Sequence, residues 1–459
     1  MSWHPTKLSE FLNERVGRIK YEEANRLGLQ RIKKIDFSGA IHLDTETDTK
    51  TNMIRVKTGD LVISGINAAK GAIAVYEGDD DVLATIHYSS YEFDPDQISV
   101  DFLKWFFRSS EFSELLKEQI PGGIKTELKP KHILPLRVSL PKLIEQITIA
   151  KRLNEVRVEQ LKLNHEITHQ QALLGKLKQA ILQEAIQGKL TADWRTANPV
   201  GDLSTEASAK VEPASELLQR IQAEKARLIA EKKIRKEKPL PEITPEEITF
   251  EIPDGWEWCR LGEIINRTES GWSPKCLDNP APEGTWGVLK TTAVQIGEYV
   301  ESENKKLPAR LEPRPKHETK VGDILITRAG PSNRVGICAY VRATRDKLMI
   351  SDKIIRFHPI IMNGLYIELF ANTSLFQKLI EDSKQGMAQS QVNISQDNLK
   401  RTAIPLPPLA EQAAIVERVE ALMATCRELE AEIERSRTHA ADLLQAVLKE
   451  AFSPATNEL

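Results

Sequence analysis

The chain has 459 residues, of which 41% are hydrophobic and 28% are charged. This ordinary globular composition excludes a disordered or fibrous protein, and the length favours about two to four domains. The net charge of −3 excludes a chain that is basic throughout, so any surface for an acidic partner must be local.

The N-terminal residues contain no apolar run of the kind found in leaders or membrane spans. The most apolar stretch, residues 61–76, is interrupted by Asn67 and Lys70. Four cysteines without a C-x-x-C pair indicate neither a disulfide framework nor a zinc site. We therefore expect a cytoplasmic protein without a membrane partner and without a bound metal.

Residues 1–139 form the first predicted module. Short β-branched runs such as Leu61-Val62-Ile63-Ser64 alternate with turn residues, and an aromatic segment at residues 102–107 is typical of a helix. This pattern predicts a mixed α/β domain. Polar residues in its loops are candidate binding residues, because their side chains carry hydrogen-bond donors and acceptors. They are Ser64, Asn67, Lys70, His87, Lys125 and Thr126.

Residues 140–195 begin an internal repeat with a constant offset of 266 residues. Leu140-Pro141-Lys142-Leu143-Ile144-Glu145-Gln146 matches Leu406-Pro407-Pro408-Leu409-Ala410-Glu411-Gln412, and the match continues without a gap to Ala185 and Ala451. Each copy has heptad spacing, which predicts two long helices, with the first ending at Gly188. The predicted coiled-coil seam consists of Ile149, Leu153, Val156, Leu163, Ile167, Leu174, Leu177, Ile181, Ile415, Val419, Leu422, Leu429, Ile433, Leu443 and Val447.

Residues 196–255 are predicted to be a connector. A charged segment from Ala214 to Lys238 has the composition of a solvated helix, and Pro239-Leu240-Pro241 follows it.

Residues 256–405 form the second predicted module, and residues 406–459 form the second spacer helix. Lys320-Val321-Gly322-Asp323 and the strand after it resemble Lys57-Thr58-Gly59-Asp60 and its strand, which indicates one plan for both modules. The second module has 21 Lys and Arg against 17 Asp and Glu. Its candidate binding residues are Trp272, Ser273, Lys275, Lys290, Thr291, Thr292, Arg328, Ser332, Asn333, Arg334, Gln389, Ser390, Gln391 and Asn393.

Motifs for catalysis are missing from the sequence. Asp278-Asn279-Pro280-Ala281-Pro282 does not match the Asp/Asn-Pro-Pro-aromatic segment of an amino-methyltransferase, and Gly122-Gly123-Ile124-Lys125-Thr126 does not satisfy the phosphate-loop pattern. The sequence also has no G-x-S-x-G nucleophile elbow. We therefore expect a non-catalytic subunit.

The repeated Leu-Pro junctions, together with Gly188-Lys189-Leu190-Thr191 and Pro253-Asp254-Gly255-Trp256, resemble the specificity subunit of type I restriction-modification systems. The resemblance covers nearly the whole chain. It implies an α+β fold with two mixed α/β target-recognition domains, separated by two long antiparallel coiled-coil helices with pseudo-two-fold symmetry. Each domain would recognise one half of a split target in double-stranded DNA. The candidate loop residues would then contact bases, because their donors and acceptors match those of the major groove.

The resemblance also implies partners. Two methyltransferase subunits would bind the helices, and nuclease subunits with translocase activity would join through this methyltransferase core. S-adenosylmethionine, ATP and Mg would belong to those partners, and none to this chain. Two alternatives stay open: the recognition subunit of a type IIB-like enzyme, and a structural coiled-coil adaptor.

Overall fold

The computed structural model describes residues 3–37, 39–44, 50–70, 72–119, 127–201, 211–381, 385–388 and 391–452. Contacts within the chain divide it into two compact units. The first consists of Met1–Gln170 with Glu432–Leu459, and the second is Gln171–Ala431. Both long helices pass from one unit into the other. Candidate residues Lys125, Thr126, Gln389 and Ser390 lie outside the described residues.

The first unit combines small sheets with short helices. Its strands are β1 (His4–Lys7), β2 (Leu12–Glu14), β3 (Arg18–Ile19), β4 (Arg31–Ile35), β5 (Ile41–Asp44), β6 (Met53–Val56), β7 (Leu61–Ser64), β8 (Ile73–Val75), β9 (Val82–Thr85), β10 (Tyr88–Phe93) and β11 (Arg137–Leu140). Its helices are α1 (Tyr21–Leu27), α2 (Val100–Phe106), α3 (Ser110–Gln119), α4 (Pro130–Ile133) and the start of the long helix α5 (Leu143–Ile186).

The strands of the first unit form sheets in the orders β3-β6-β9-β4-β5, β2-β10-β7-β8 and β1-β11. Every pair is antiparallel except β4 with β9. All four residues of β7 are buried, because its sheet is covered on both faces. The core against it is aromatic: Phe107 stacks on Phe112 with ring centroids 4.4 Å apart, and the ring of Phe452 lies 5.3 Å from that of Phe102.

The second unit repeats this mixture. Its strands are β12 (Glu257–Arg260), β13 (Glu269–Ser270), β14 (Gly287–Leu289), β15 (Val294–Gln295), β16 (Glu298–Tyr299), β17 (Asn304–Lys306), β18 (Ile324–Thr327), β19 (Ala329–Gly330), β20 (Cys338–Tyr340), β21 (Leu348–Met349), β22 (Ile354–Phe357), β23 (Gln385–Ala388), β24 (Gln391–Asn393) and β25 (Ala403–Leu406). Its helices are α6 (Ala192–Ala197), α7 (Ala214–Ala230), α8 (Leu261–Ile264), α9 (Gly364–Ala371), α10 (Ser374–Glu381), α11 (Gln396–Arg401) and part of the long helix α12 (Leu409–Phe452).

The sheet orders of the second unit are β13-β22-β18-β20, β17-β14-β21, β19-β24-β23, β15-β16 and β12-β25. The strand β18 is buried at all four positions, as β7 is in the first unit. The predicted α+β fold with two mixed modules and two long helices is confirmed.

The predicted Lys-x-Gly-Asp correspondence is a tight turn with the same hydrogen bonds in both modules. Asp60 Oδ2 accepts from Lys57 N at 2.9 Å, and Asp323 Oδ2 accepts from Lys320 N at 2.7 Å. Gly59 and Gly322 have φ angles of +86° and +91°, which a side chain would strain. In both modules the glycine therefore supplies the positive φ angle of the turn, and the aspartate supplies its hydrogen-bond acceptor.

The repeated junctions also have one geometry. In the first unit β1 pairs with β11, so that His4 lies opposite Leu140, and in the second unit β12 pairs with β25, so that Glu257 lies opposite Leu406. A proline follows each of β11 and β25 and cannot continue its ladder, and the long helix starts two residues later. The predicted change from strand to helix at each proline is confirmed.

A glutamine at each junction connects the long helix to the short aromatic helix of its module. Gln146 accepts from the backbone N–H of Ser99 at 2.9 Å and donates to Pro141 O at 2.9 Å. Gln412 accepts from the N–H of Asn363 at 3.0 Å and donates to Pro407 O at 2.9 Å. Ser99 and Asn363 are the N-cap residues of α2 and α9. The junction therefore fixes where each module joins its long helix.

Each long helix has 44 residues, and within each unit the two helices run antiparallel. In the first unit Leu153 shares a core cluster with Leu448, and Gln160 donates to Ala440 O at 3.1 Å. In the second unit Lys178 pairs with Glu430 at 2.6 Å, while Thr191 contacts Glu411 at 2.7 Å. The first helix ends at Ile186, before Gly188 with its φ of +69°, as the sequence predicted.

The connector helix differs from its prediction. It ends at Ala230 and not at Lys238, and Ala214, Leu217 and Ile221 on one face are fully buried. Lys225 on this helix donates to the carbonyl of Ile265 at 3.0 Å. Its apolar residues recur at spacings of three and four, so that α7 packs on the second module as an amphipathic helix.

Candidate nucleic-acid interface

The predicted loop at residues 272–275 is held against residues 350–352, which connect β21 to β22. Trp272 N donates to Ile350 O at 3.1 Å, and the Ser273 hydroxyl donates to the Asp352 carboxylate. The Lys275 side chain is exposed. The loop therefore has a hydrogen-bonded backbone and an exposed cation at its end.

Arg334 joins two of the predicted loops. Its guanidinium donates to Gln295 Oε1 at 2.9 Å, to Thr291 O at 3.1 Å and to Val294 O at 3.0 Å. Asn333 beside it is exposed. Arg334 therefore holds the backbone of the Thr291 loop in place, and the side-chain amide of Asn333 is exposed.

Lys290 and Thr292 both contact Glu303. Lys290 Nζ lies 2.8 Å from Glu303 Oε2, and the Thr292 hydroxyl donates to the same carboxylate. These hydrogen bonds, that of Lys290 first, hold the pKa of Glu303 below its ordinary value. Since Glu303 stays ionised, it balances the charge of Lys290.

Arg328 and Asn393 lie together on neighbouring segments. Arg328 Nε donates to Ile394 O at 3.3 Å, and Ala329 pairs with Asn393 across β19 and β24. Arg328 N also donates to Lys353 O at 2.7 Å, next to the Asp352 that binds Ser273. Ser332 is half-buried and begins a 3-10 turn that ends at Arg334. The backbone of Gln391 belongs to β24. The structure thus brings loops 272–275, 328 and 393 into contact with one another through the 351–353 segment.

The first module gathers four of its candidates around one turn. The Asn67 carbonyl accepts from Lys70 N at 2.9 Å and from Ala72 N at 3.1 Å, and Asn67 N donates to Ser64 O at 3.1 Å. The Ser64 side chain is 4% exposed, which leaves Asn67 and Lys70 as the accessible groups of this turn. His87 Nδ1 lies 3.0 Å from Glu127 Oε1, and His87 O accepts from Gly65 N at 2.8 Å.

Lys70 of this turn also approaches an aromatic ring. Its Nζ lies 5.5 Å from the ring centroid of Phe37, which is 51% exposed. An exposed aromatic ring beside a cation suits stacking on nucleic acid, and no sequence pattern pointed to Phe37.

The seam residues divide by exposure. The structure buries Leu153, Ile167, Leu174, Ile181, Ile415, Val419 and Ile433, partly buries Ile149, Val156 and Val447, and exposes Leu163, Leu177, Leu422, Leu429 and Leu443. Five leucines that heptad spacing assigned to the seam thus face solvent in this chain.

Arg314 is a residue that the sequence argument missed. Its guanidinium carbon lies 4.1 Å from the ring centroid of Trp272, so that it stacks on the first candidate loop. Arg310, Arg314 and Lys316 form a short basic cluster in the sequence, and this cluster is the signal that could have identified Arg314 as a candidate.

In the described part of the chain, no helix combines the length and apolar character that crossing a bilayer requires.

Comparison with known proteins gives one consistent family. Residues 253–436 match the family model described as type I restriction modification DNA specificity domain. The EcoEI type I specificity subunit of Escherichia coli is 48% identical over 280 residues, which are 60% of this chain and 45% of that protein. The EcoKI specificity subunit of E. coli strain K12 is 25% identical over 357 residues, 76% of this chain and 64% of that protein. This chain therefore spans less than two thirds of the length of these relatives.

A solved structure supports the fold. A chain from a study of complex assembly and conformational transition in the type I R-M system superposes with a TM-score of 0.61, at 16% identity, over 98% of this chain and 97% of its own length. The resemblance to type I specificity subunits that the sequence indicated is thereby confirmed.

Proposed function

We propose that this chain, which matches the type I restriction modification DNA specificity domain over residues 253–436, is a sequence-specific DNA-recognition subunit. It recognises a split, asymmetric target in double-stranded DNA. The observation that carries this proposal is that two modules share one framework but present different polar loops.

The shared framework supports two similar docking poses on DNA. Both modules have the Gly-Asp turn before a buried strand and the glutamine junction before a long helix. The loop after the buried strand differs, with Asn67 and Lys70 in the first module and Asn333 and Arg334 in the second. Different side chains match different base edges, so the two half-targets differ in sequence.

Catalysis belongs to partners in this proposal. Two methyltransferase subunits bind the long helices, and nuclease subunits with translocase activity join through them. S-adenosylmethionine, ATP and Mg act in those subunits, and this chain needs no cofactor of its own. The complex works in the cytoplasm, where the chromosome is.

An exposed apolar face on the helices of the first unit supports the binding of a methyltransferase subunit. Ile147, Val158, Leu163 and Leu443 are 48%, 50%, 41% and 59% exposed and line a groove of about 900 Å³. Apolar side chains that line one groove and remain open to solvent are typical of a surface that another chain covers.

The decisive experiment compares genomic methylation in the host with and without this gene. We expect one split, two-part sequence to lose its methylation when the gene is deleted. If no such sequence disappears, the proposal fails.

Replacement of residues 256–405 by the corresponding segment of a relative separates recognition from a purely structural role. Recognition predicts a change in one half of the target and none in the other. A coiled-coil adaptor predicts an unchanged methylation pattern. Nuclease activity that copurifies in one protein with methyltransferase activity would favour the type IIB-like alternative.

A further inference from the structure

Four cations form a basic face on the second module: Lys275, Arg310, Arg314 and Lys316. All four side chains are exposed, and within the described residues none forms an ion pair with a carboxylate. Other exposed cations of this module are paired, such as Lys305 with Asp278 and Lys320 with Glu318, at 2.7 and 2.8 Å. Two carboxylates, Glu312 and Asp352, lie in the same segments as the four cations. The net charge of these residues is therefore positive.

The segment that carries Arg314 and Lys316 is rigid. Arg356, which is 8% exposed, donates to Glu318 O at 2.5 Å and to Lys316 O at 2.9 Å. Ile350 N donates to His317 O at 3.0 Å. Because the backbone from Lys316 to Glu318 is already held by these hydrogen bonds, binding a ligand beside it costs little additional conformational entropy.

Arg314 is oriented by an aromatic ring. Stacked 4.1 Å from the Trp272 ring centroid, its planar guanidinium keeps its N–H donors free at the edge. Trp272 begins the candidate loop that ends at Lys275. The basic face is therefore continuous with one of the loops proposed to contact bases.

We infer that this basic face binds the phosphate backbone of duplex DNA beside the half-target of the second module. Rigid, unpaired Arg and Lys side chains next to base-contacting loops are the groups that fix a protein on the duplex without distinguishing its sequence. The inference rests on the proposed function and adds the residues that supply sequence-independent affinity.

The test measures how the affinity of the full-length chain for labelled duplex DNA depends on salt. The probes are a duplex with the target found by methylation mapping and a scrambled duplex of equal length. The variant is Arg314→Gln with Lys316→Gln. The matched control is Arg227→Gln with Lys233→Gln, which removes the same charge from the last turn of α7 and the segment that follows it.

We expect the slope of log K against log salt to become shallower by about two, since each neutralised phosphate contributes about 0.9. The change should be equal on both duplexes, and the control should keep the wild-type slope. An unchanged slope overturns the inference, as does a loss confined to the target duplex. Loss of a copurifying protein with an unchanged slope would assign the face to an acidic protein partner and would also overturn it.

Failure of the proposed function gives a different result. In that case deletion of the gene would change no methylation, and only the scrambled duplex could be used as a probe. The comparison of slopes on the scrambled duplex would still decide whether the basic face contacts phosphate.

Discussion

The side-chain oxygen of Gln412 accepts a hydrogen bond from the backbone N–H of Asn363, 3.0 Å away. The two residues belong to the long helix and to the N-cap of the aromatic helix α9. Gln146 and Ser99 repeat this relationship in the first module. Both glutamines are at most 1% exposed, and loss of either side chain would leave a part-buried N–H without its acceptor.

The first prediction concerns this junction. Gln412→Ala should destabilise the start of α9 by about 1 kcal/mol, because a part-buried donor loses its acceptor. Hydrogen exchange followed by mass spectrometry should show faster exchange in residues 363–366. Gln445→Ala, at an exposed site on the same helix, should leave that exchange unchanged. Equal protection in wild type and Gln412→Ala would contradict the role assigned to Gln412.

The second prediction concerns the buried carboxylate of Glu411. It is 0% exposed and accepts from Thr191 at 2.7 Å, from Trp256 Nε1 at 2.8 Å and from Arg195. Arg195→Met should lower the free energy of unfolding by about 3 kcal/mol, because the charge stays buried without its cation. Adding Glu411→Gln should recover part of this loss. Calorimetric unfolding measures both.

A matched control for that prediction is Arg418→Met. Arg418 pairs with Asp193 on the surface, where 46% and 66% of the two side chains are exposed. Solvent screens this pair, so the expected cost is below about 1 kcal/mol. Equal destabilisation by both arginine variants would show that burial of Glu411 does not matter.

The third prediction is a pH dependence at the connector. Arg260, 4% exposed on its side chain, donates to both oxygens of Glu247 at 2.5 and 2.7 Å and lowers the pKa of Glu247 to about 2 from 4.5. A depressed carboxyl pKa gives stability that is present above the unfolded pKa and lost as the pH falls through the folded one. This contribution should therefore be complete near neutral pH and decline between pH 4.5 and about 2.

Urea unfolding at a series of pH values tests this dependence. The midpoints of wild type and Glu247→Gln should differ most near neutral pH and converge in acid. Glu251→Gln, at an exposed site in the same connector, should follow the wild-type curve. A midpoint difference that is constant with pH would sink the assignment.

A feature of this fold can be predicted from the sequence when neighbouring residues determine it. The strand, proline and helix order at residues 140–143 and 406–409 follows from periodicity and from the missing proline N–H, so it was predictable. The bonds from Gln146 to Ser99 and from Gln412 to Asn363 span 47 and 49 residues, and no local pattern carries such information. The contact of Arg314 with Trp272 is non-local for the same reason.

The candidate interface shows the same limit. The chemistry of DNA bases indicates which residue types in a loop could contact them. Which of those side chains faces solvent depends on contacts with residues that are distant in the sequence. Arg334 looked like a base-contacting residue until its donors were seen to bind Gln295, Thr291 and Val294. A contact of Arg334 with bases stays a prediction. Its hydrogen bonds to the Thr291 loop are present in the structure.

The fourth prediction separates Arg334 from its neighbour Asn333. Arg334→Lys removes the planar guanidinium that bridges three acceptors, so it should weaken binding to the target and disturb the Thr291 loop together. Asn333→Ala should change which base is preferred at one position and leave that loop ordered. Binding to a panel of single-base target variants, with hydrogen exchange of residues 290–295, measures the two effects. Identical base preferences in Asn333→Ala and wild type would remove Asn333 from the candidates.

The fifth prediction concerns the groove of the first unit. Leu443→Lys should reduce copurification of a methyltransferase subunit at least about tenfold, which corresponds to 1.4 kcal/mol, because a charge would be buried on binding. Gln445→Lys places the same charge at a nearby exposed site and should have little effect. Pull-down at matched expression decides between them, and equal recovery with both variants would exclude the groove as the contact.

The position of Phe452 has a consequence for synthesis of the chain. Its ring packs 5.3 and 5.7 Å from Phe102 and Phe106, in the core of the unit that the first residues also build. Chains emerge from the ribosome N-terminus first, so this aromatic cluster is made early and completed only when the last turn of α12 arrives. Until then the nascent protein exposes two phenylalanine rings to chaperones and proteases. A product that stops short of residue 452 would lack this ring, so one side of the Phe102 and Phe106 rings would stay uncovered.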